Sequence, residues 1–285
     1  MVTNATAAAG ASYETATVSV NGVRTHYVEA GREHDRTLLL VHSGEFGAAA
    51  AFSWEHAIER LAEHYHVLAP DLIGYGHTEK LFSFEDQFDL RVSHVGDFLE
   101  TLCVEEAYAV GNSLGGGDLL SVLSEDAPLE WPVTKAVSVS GGGGPPEGFR
   151  DILTEFEGSR EGMADILDVL YHRDWWDEAY LDRRVEMARV PGQWQNTAAI
   201  RFDAPFEQDR TFRRSNDYAN IDVPTMVIAG AEDVLKSVET MREVHDGVAA
   251  GAAPTRFEVV EDVGHCAQTE RPDRFVDLVL EFFEG

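Results

Sequence analysis

The segment AVGNSLGGGD, residues 109–118, places one serine among four glycines at the end of an apolar run. Glycine is costly inside regular structure, because it loses more backbone freedom on folding than any other residue. These glycines therefore indicate a place where the backbone turns sharply or approaches another segment closely. Residues 111–115 match G-x-S-x-G between a predicted strand and a predicted helix, which is the setting of a nucleophile elbow. We predict that Ser113 is a nucleophile; the alternative is a glycine-rich turn with a capping serine.

Short apolar runs and amphipathic segments alternate on both sides of this serine. Asn21-Gly22, a strong turn signal, divides residues 17–31 into two β-rich runs and predicts a hairpin. Further strands are predicted at residues 37–41, 66–71, 107–111, 134–140, 224–230 and 256–262, and helices at residues 52–65, 89–102, from the glycines to about 124, and 274–283. This alternation predicts an α/β fold with a mostly parallel central sheet and helices on both faces.

The alternation stops at the breaker GGGGPP, residues 141–146, and residues 147–206 are helix-like and rich in Trp, Tyr, Met and acidic residues. We therefore predict a helical cap at residues 142–210, inserted before the last two strands. The core is then formed by residues 1–141 and 211–285. At the amino terminus we expect a short disordered segment, and neither a signal peptide nor a membrane-spanning run is indicated.

The composition is strongly acidic. The chain has 22 Lys and Arg against 51 Asp and Glu, a net charge of −29, and only three of the basic residues are lysines. Nucleic acids and anionic membranes both require a basic surface, so the charge argues against either partner and favours a small-molecule substrate. The composition is compatible with a high-salt cytoplasm, where a Debye length of about 3 Å at 1 M salt screens the repulsion. An ordinary acidic, soluble surface is an equally good explanation.

The few cysteines and histidines suggest neither a disulfide framework nor a metal site. Cys103 and Cys266 form no C-x-x-C pair, so a reducing, cytoplasmic compartment is the simplest interpretation. His64 and His66 have no third candidate ligand near them in the sequence. We therefore predict no metal.

A serine hydroxyl needs a base to take its proton and a third group to orient that base. On a sheet with a nucleophile elbow, the acid and then the histidine follow the serine along the chain. His265 comes after the last predicted strand and Asp233 after the strand before it, so both belong to the edge where such sheets bind ligands. We predict that Ser113, Asp233 and His265 are catalytic, with Glu232 as the competitor for the acid.

The oxyanion of a tetrahedral intermediate needs backbone N–H donors, each typically worth about 3–4 kcal/mol. One predicted donor is the N–H of Leu114, directly after the serine. The second is expected from the loop after the first buried strand, where Ser43 and Gly44 are candidates and Gly44 is preferred. Ser43 is also predicted to contact the substrate.

From about residue 18 to its end the chain resembles an α/β-hydrolase, most similar within that superfamily to the meta-cleavage product hydrolases. The resemblance is carried by HSGEFGAAAAFSW, APDLIGYGHTEK, GNSLGGGD, LDRRVEMARVPG and GHCAQTERPDRF. It implies the α/β-hydrolase fold and a serine enzyme, without metal or organic cofactor, that hydrolyses a C–C bond of a 2-hydroxy-6-oxo-dienoate. It also implies substrate contacts from Asn112 and from a cap arginine, Arg184 or failing that Arg183. Because dimers are common among such enzymes, a homodimer is left open.

The chain departs from the family's pattern at two places. The oxyanion loop, residues 42–47, is HSGEFG where the family usually has H-G-x-G-P-G, and Cys266 replaces the tryptophan that normally follows the histidine. A carboxylate at Glu45 would repel an anionic substrate unless it points away. The alternative is therefore a carboxylic ester, lactone or carbamate hydrolase with a small, mostly apolar, neutral substrate, which the charge of −29 also favours. A catalytically silent ligand receptor is disfavoured, because all three triad candidates are present.

Overall fold

One sheet organises the part of the chain that the computed structural model describes, namely residues 3–7, 13–124, 131–144, 155–173, 175–199 and 217–285. Within these residues the sheet has nine strands: β1 Thr3–Ala7, β2 Glu14–Val20, β3 Val23–Ala30, β4 Thr37–Val41, β5 His66–Pro70, β6 Ala107–Asn112, β7 Val133–Val139, β8 Thr225–Gly230 and β9 Thr255–Val260. Their spatial order is β1-β2-β3-β5-β4-β6-β7-β8-β9. The six strands from β5 to β9 in this order are parallel, whereas β1, β2 and β3 pair antiparallel.

The described helices connect these strands or lie between them. They are α1 Ala50–Trp54, α2 Ile58–Ala62, α3 Gln87–Thr101, α4 Leu114–Ser124, α5 Arg160–Leu170, α6 Glu178–Ala188, α7 Gln193–Ala198, α8 Val238–Ala249, α9 Ala267–Glu270 and α10 Pro272–Glu284. Of the helices that the structure describes, none is both long and apolar enough to cross a membrane.

Helices cover both faces of the sheet. In β4, Leu38 and Leu40 pack with α1, α2 and α10 on one face, whereas Leu39 and Val41 pack with α3 and α4 on the other. Successive side chains of a strand point to opposite faces, so a strand covered on both sides is apolar at every position. The mostly parallel α/β architecture predicted from the sequence is therefore the observed one.

The structure corrects two local predictions. Residues 3–7 are not a disordered lead-in, because they form β1 on the outer edge of β2, where unpaired backbone groups accept another strand. Residues 52–65 do not form one helix, because the N–H of Ala57 bonds to the nearer carbonyl of Trp54 and separates α1 from α2. The predicted hairpin is confirmed, with Asn21 and Gly22 both at positive φ between β2 and β3.

Helices α5, α6 and α7 lie between β7 and β8, in the region predicted as the cap. Their apolar side chains form one cluster with Phe46 in the oxyanion loop, Phe52 in α1, and Cys266 after β9. The cap helices therefore pack against the loops that follow β4 and β9. The predicted limits of the cap, 142–210, stay a prediction, and residues 200–216 lie outside the described part of the chain.

Glycines allow α4 to lie unusually close to the sheet. A Cβ added at Gly115 would lie closer than 3.0 Å to the carbonyl oxygens of Val41 and His42, and one at Gly116 would be 2.6 Å from the Ser138 hydroxyl. By contrast, a Cβ at Gly117 would have its nearest neighbour at 3.4 Å, an ordinary contact. The first turn of α4 therefore requires glycine on the side that faces the sheet.

We expect Gly115→Ala to destabilise the protein by at least about 2 kcal/mol, because the clashing carbonyl groups are backbone and cannot rotate away. Gly117→Ala is the matched control in the same turn, and we expect it to be neutral or stabilising by about 0.5–1 kcal/mol. Urea denaturation followed by circular dichroism measures both free energies of unfolding. Equal stability of the two variants would contradict this account of the helix–sheet contact.

Candidate active site

Ser113 occupies a sharp turn between β6 and α4. Its φ of +53° lies in the left-handed region, which is strained for a residue with a side chain. The backbone holds it there, because its N–H donates to the carbonyl of Val139 at 2.9 Å and its carbonyl accepts from the N–H of Gly117 at 2.9 Å. The turn has the strand–turn–helix geometry that the sequence pattern predicted.

The three predicted catalytic side chains form one hydrogen-bonded chain. Ser113 Oγ lies 2.7 Å from His265 Nε2, and His265 Nδ1 lies 2.8 Å from Asp233 Oδ2. His265 and Asp233 are buried, whereas Ser113 is partly exposed. Glu232, the competitor for the acid, is exposed to solvent. The structure thus brings together residues that lie 120 and 152 positions from the serine, in the arrangement of nucleophile, base and acid.

Asp233, the acid of this hydrogen-bonded triad, is held in its ionised form. Burial alone would raise the pKa of Asp233, but the neighbouring His265 ring and two backbone donors outweigh it and lower that pKa below its ordinary value. The donors are the N–H groups of Leu235 and Lys236, at 2.8 and 2.9 Å from Oδ1. An ionised carboxylate on Nδ1 fixes the ring with Nε2 facing the serine.

Asn112 holds the histidine loop, residues 261–266, against the end of β7. Its amide nitrogen donates to the carbonyl of His265 at 3.1 Å and to that of Val139 at 3.2 Å. Its Oδ1 accepts from the buried thiol of Cys266, with sulfur and oxygen 3.7 Å apart. Both amide hydrogens are therefore used within the protein, and the substrate contact expected for Asn112 stays a prediction.

Glu270 is a residue of this region that the sequence reasoning missed. Its Oε1 accepts from the N–H of Gly264 at 2.9 Å, and its Oε2 accepts from the N–H of His172 in the cap at 2.7 Å. The N–H of His265 itself donates to the carbonyl of Leu170, at the end of α5, at 2.8 Å. The cap and the histidine loop are thus tied together. In the sequence, Glu270 is only an acid five residues after the histidine, and its burial is visible in the structure alone.

The two predicted oxyanion donors lie next to each other. Leu114 is the first residue of α4, so its N–H has no acceptor within the helix. A Cβ on Gly44 would collide with the Leu114 side chain, which places the oxyanion loop directly beside the elbow. The carbonyl of Gly44 accepts from the Tyr75 hydroxyl at 3.0 Å, which fixes the orientation of the loop. The Ser43 hydroxyl is buried and lies 3.4 Å from the hydroxyl of Ser53 in α1.

Arg184, predicted to bind substrate, is paired with Glu45 inside the protein. Both side chains are almost fully buried, and Arg184 Nη2 lies 2.6 Å from Glu45 Oε1. Burial raises the pKa of Glu45, but the Arg184 charge and the Ser43 hydroxyl outweigh it and keep that pKa below its ordinary value. The Glu45 carboxylate therefore points at the cap arginine. Arg183, the fallback, makes a two-pronged ion pair with Glu55 on the partly exposed side of the cap.

Comparison with known proteins agrees with this geometry. The model of the alpha/beta hydrolase family matches residues 38–278, which is most of the chain. The chain belongs to the alpha/beta hydrolase family. The predicted α/β-hydrolase fold and the prediction of a hydrolase are thereby confirmed.

Its relatives include enzymes of the predicted kind. The chain is 29% identical over 93% of its length to a 2-hydroxy-6-oxo-6-(2'-aminophenyl)hexa-2,4-dienoic acid hydrolase from Metapseudomonas resinovorans, covering 89% of that protein. It is 25% identical over 93% of its length to a 2-hydroxy-6-oxo-2,4-heptadienoate hydrolase from Pseudomonas putida, covering 94% of that protein. A solved meta-cleavage product hydrolase from Pseudomonas fluorescens IP01 superposes with a TM-score of 0.79 at 25% identity, over 94% of this chain and 97% of that one.

Glu270 predicts a specific pH dependence of stability. Burial raises its pKa to about 7, from an ordinary value of 4.5, so the neutral form is favoured in the folded protein. The resulting stabilisation is complete below pH 4.5 and is lost as the pH rises through 7. Between pH 5 and 8 we expect the wild type to lose up to about 3 kcal/mol more unfolding free energy than Glu270→Gln, which cannot titrate. Urea denaturation at several pH values in this range measures the free energy of unfolding of both proteins. If the two free energies change equally with pH, Glu270 does not titrate there.

Proposed function

We propose that this hydrolase uses Ser113, His265 and Asp233 to cleave a C–C bond of a meta-cleavage-type 2-hydroxy-6-oxo-dienoate. The observation that carries the proposal is the hydrogen-bonded chain from Ser113 Oγ through His265 to Asp233, with steps of 2.7 and 2.8 Å. The reaction class is supported by relatives that are themselves named dienoate hydrolases, at 29% and 25% identity.

The triad activates the serine as follows. His265 Nε2 is within hydrogen-bonding distance of the hydroxyl and takes its proton as Oγ attacks the substrate's distal carbonyl carbon. The Asp233 carboxylate stabilises the imidazolium ion that forms. The oxyanion of the tetrahedral intermediate is placed beside the N–H groups of Leu114 and Gly44, at the positive end of α4.

The bond that breaks is the one between the attacked carbonyl carbon and the dienoate carbon chain. As the resemblance implies, the dienol is first ketonised, so that the departing carbon fragment leaves as a stabilised enolate. This fragment takes the proton from His265 and becomes a hydroxydienoate. Water, deprotonated by His265, then hydrolyses the acyl-serine and releases a carboxylic acid, so one water is consumed per bond.

A second candidate is the hydrolysis of a small, mostly apolar and neutral carboxylic ester, lactone or carbamate. It is favoured by the pairing of Arg184 with Glu45, because the cap guanidinium already has an anionic partner. The net charge of −29 acts in the same direction, since it repels an anionic substrate at low salt. That charge also supports a small-molecule substrate over a nucleic acid or an anionic membrane.

We expect Ser113→Ala to lower kcat/KM by about 10⁴-fold or more on any substrate found, because it removes the nucleophile. Ser121→Ala is the matched control. Ser121 is a buried serine within α4, and this variant should retain activity. A fluorophosphonate probe should label the wild type and the control but not Ser113→Ala. Retained turnover in Ser113→Ala would contradict the proposed mechanism.

The two substrate classes are separated by assaying a chromophoric meta-cleavage product beside short-chain 4-nitrophenyl esters, at low and at high salt. The proposed function predicts loss of the dienoate absorbance, faster at high salt because screening weakens the repulsion between protein and anion. Ester turnover without any loss of the dienoate at either salt concentration would favour the second candidate and contradict the proposed C–C hydrolysis.

A further inference from the structure

We propose that Glu45 is a specificity-determining residue: its carboxylate occupies Arg184 as an internal counter-ion, so the site selects against a substrate carboxylate at that position and favours an uncharged group. The inference rests on the proposed function only in that it concerns the same site. It concerns the group that faces Arg184 and not the bond that is broken: a dienoate has to place its carboxylate away from Arg184, whereas a neutral ester meets no such constraint.

The Glu45–Arg184 pair lies beside the catalytic residues. Glu45 directly follows Gly44, the predicted oxyanion donor, in the loop that lies beside Leu114. It is also near the histidine loop, because the next residue, Phe46, belongs to the same apolar cluster as Cys266, which directly follows His265. In this proposal, the pair therefore faces a substrate that is bound at Ser113 under the cap.

The guanidinium has little capacity left for a substrate anion. Its Nη2 donates to Glu45 Oε1 at 2.6 Å and to the carbonyl of Phe46 at 3.3 Å. Its Nη1 donates to the hydroxyls of Tyr180 and Tyr171, at 3.1 and 3.5 Å. Among the described residues, only Nε lacks a hydrogen-bond acceptor. One N–H can serve a neutral acceptor, but a two-pronged contact with a carboxylate would require Glu45 to leave.

Displacing Glu45 is unfavourable because of its burial. An ionised carboxylate that loses its partner inside a protein is strongly destabilised, and Glu45 is only 4% exposed. A substrate carboxylate would thus exchange one ion pair for another and leave a buried charge behind. A neutral carbonyl or ester group brings no such loss, and this difference is the basis of the discrimination.

The Glu45–Arg184 pair also joins the cap to the core, and this structural role can be separated from its role in substrate selection. Arg183 and Glu55 also join the cap to α1's end, through two hydrogen bonds of 2.9 and 3.0 Å, but on the partly exposed side. Glu55→Gln therefore removes a cap–core ion pair without touching the pair beside Ser113. It is the matched control for Glu45→Gln.

The test compares substrates that differ only in one carboxylate: the dienoate against its methyl ester, and mono-4-nitrophenyl adipate against its methyl ester. The readout is the ratio of kcat/KM, carboxylate over ester, at about 1 M NaCl to screen the overall charge. We expect Glu45→Gln to raise this ratio at least about tenfold, because Arg184 becomes available to the carboxylate, and Glu55→Gln to leave it unchanged. A ratio unchanged in Glu45→Gln would overturn the proposal.

The double variant Glu45→Gln/Arg184→Gln completes the cycle and, because it buries no unpaired charge, remains informative if Glu45→Gln is too unstable to isolate. We expect its ratio within about threefold of the wild type, because Arg184 does not serve the substrate carboxylate in the wild type. A tenfold fall of this ratio in the double variant would show that Arg184 binds the substrate carboxylate in the wild type. A rise of the ratio as large as in Glu45→Gln would show a general effect of removing the negative charge. Either result overturns the proposal. Turnover in Ser113→Ala would instead refute the proposed function and leave this ratio test standing.

Discussion

The close approach of α4 to the ends of β4 and β6 is the constraint on which the active site depends. Backbone meets backbone at Gly111, Gly115 and Gly116, with no room for a side chain. This contact forces the chain to turn within one residue, so Ser113 takes a left-handed conformation and its hydroxyl stands above the sheet. It also brings Leu114, the first residue of α4, beside Gly44. One packing contact thus positions both Ser113, the proposed nucleophile, and Leu114, a proposed oxyanion donor.

The cap helices contribute to the geometry of His265, the proposed base. The backbone of His265 is bonded to Leu170 at the end of α5, and Glu270 joins the histidine loop to His172. Across the site, Arg184 joins α6 to the oxyanion loop through Glu45. The cap helices are therefore bonded to both loops, and a displacement of these helices would move His265 and the proposed oxyanion donors together.

The sequence was sufficient for the parts of the site that follow from local pattern and strand order. G-x-S-x-G at a strand end predicts the sharp turn at Ser113. The carboxyl ends of parallel strands share one edge, so the proximity of Asp233 and His265 to Ser113 could be predicted from their places after β8 and β9. Sequence could not give the partner of Arg184, because Glu45 lies 139 residues away and nothing in its local pattern specifies which charge it meets.

Three other features could not be predicted from the sequence, for related reasons. Glu270, the last residue of α9, looks in the sequence like an ordinary acid, and its role depends on where the cap docks. The strand β1 forms because β2 offers a free edge, which is a property of the sheet and not of residues 3–7. The break between α1 and α2 is set by a single tight hydrogen bond that helical periodicity does not reveal.

The two cysteines differ sharply in chemical character. Cys266 is buried, and the raised pKa of its thiol keeps it protonated at neutral pH, whereas nucleophilic attack and oxidation both proceed through the thiolate. Cys103, at the end of α3, is exposed. Maleimide reagents should consequently modify the surface position alone, which offers a place to attach a fluorophore or to immobilise the folded enzyme without disturbing the neighbourhood of the histidine.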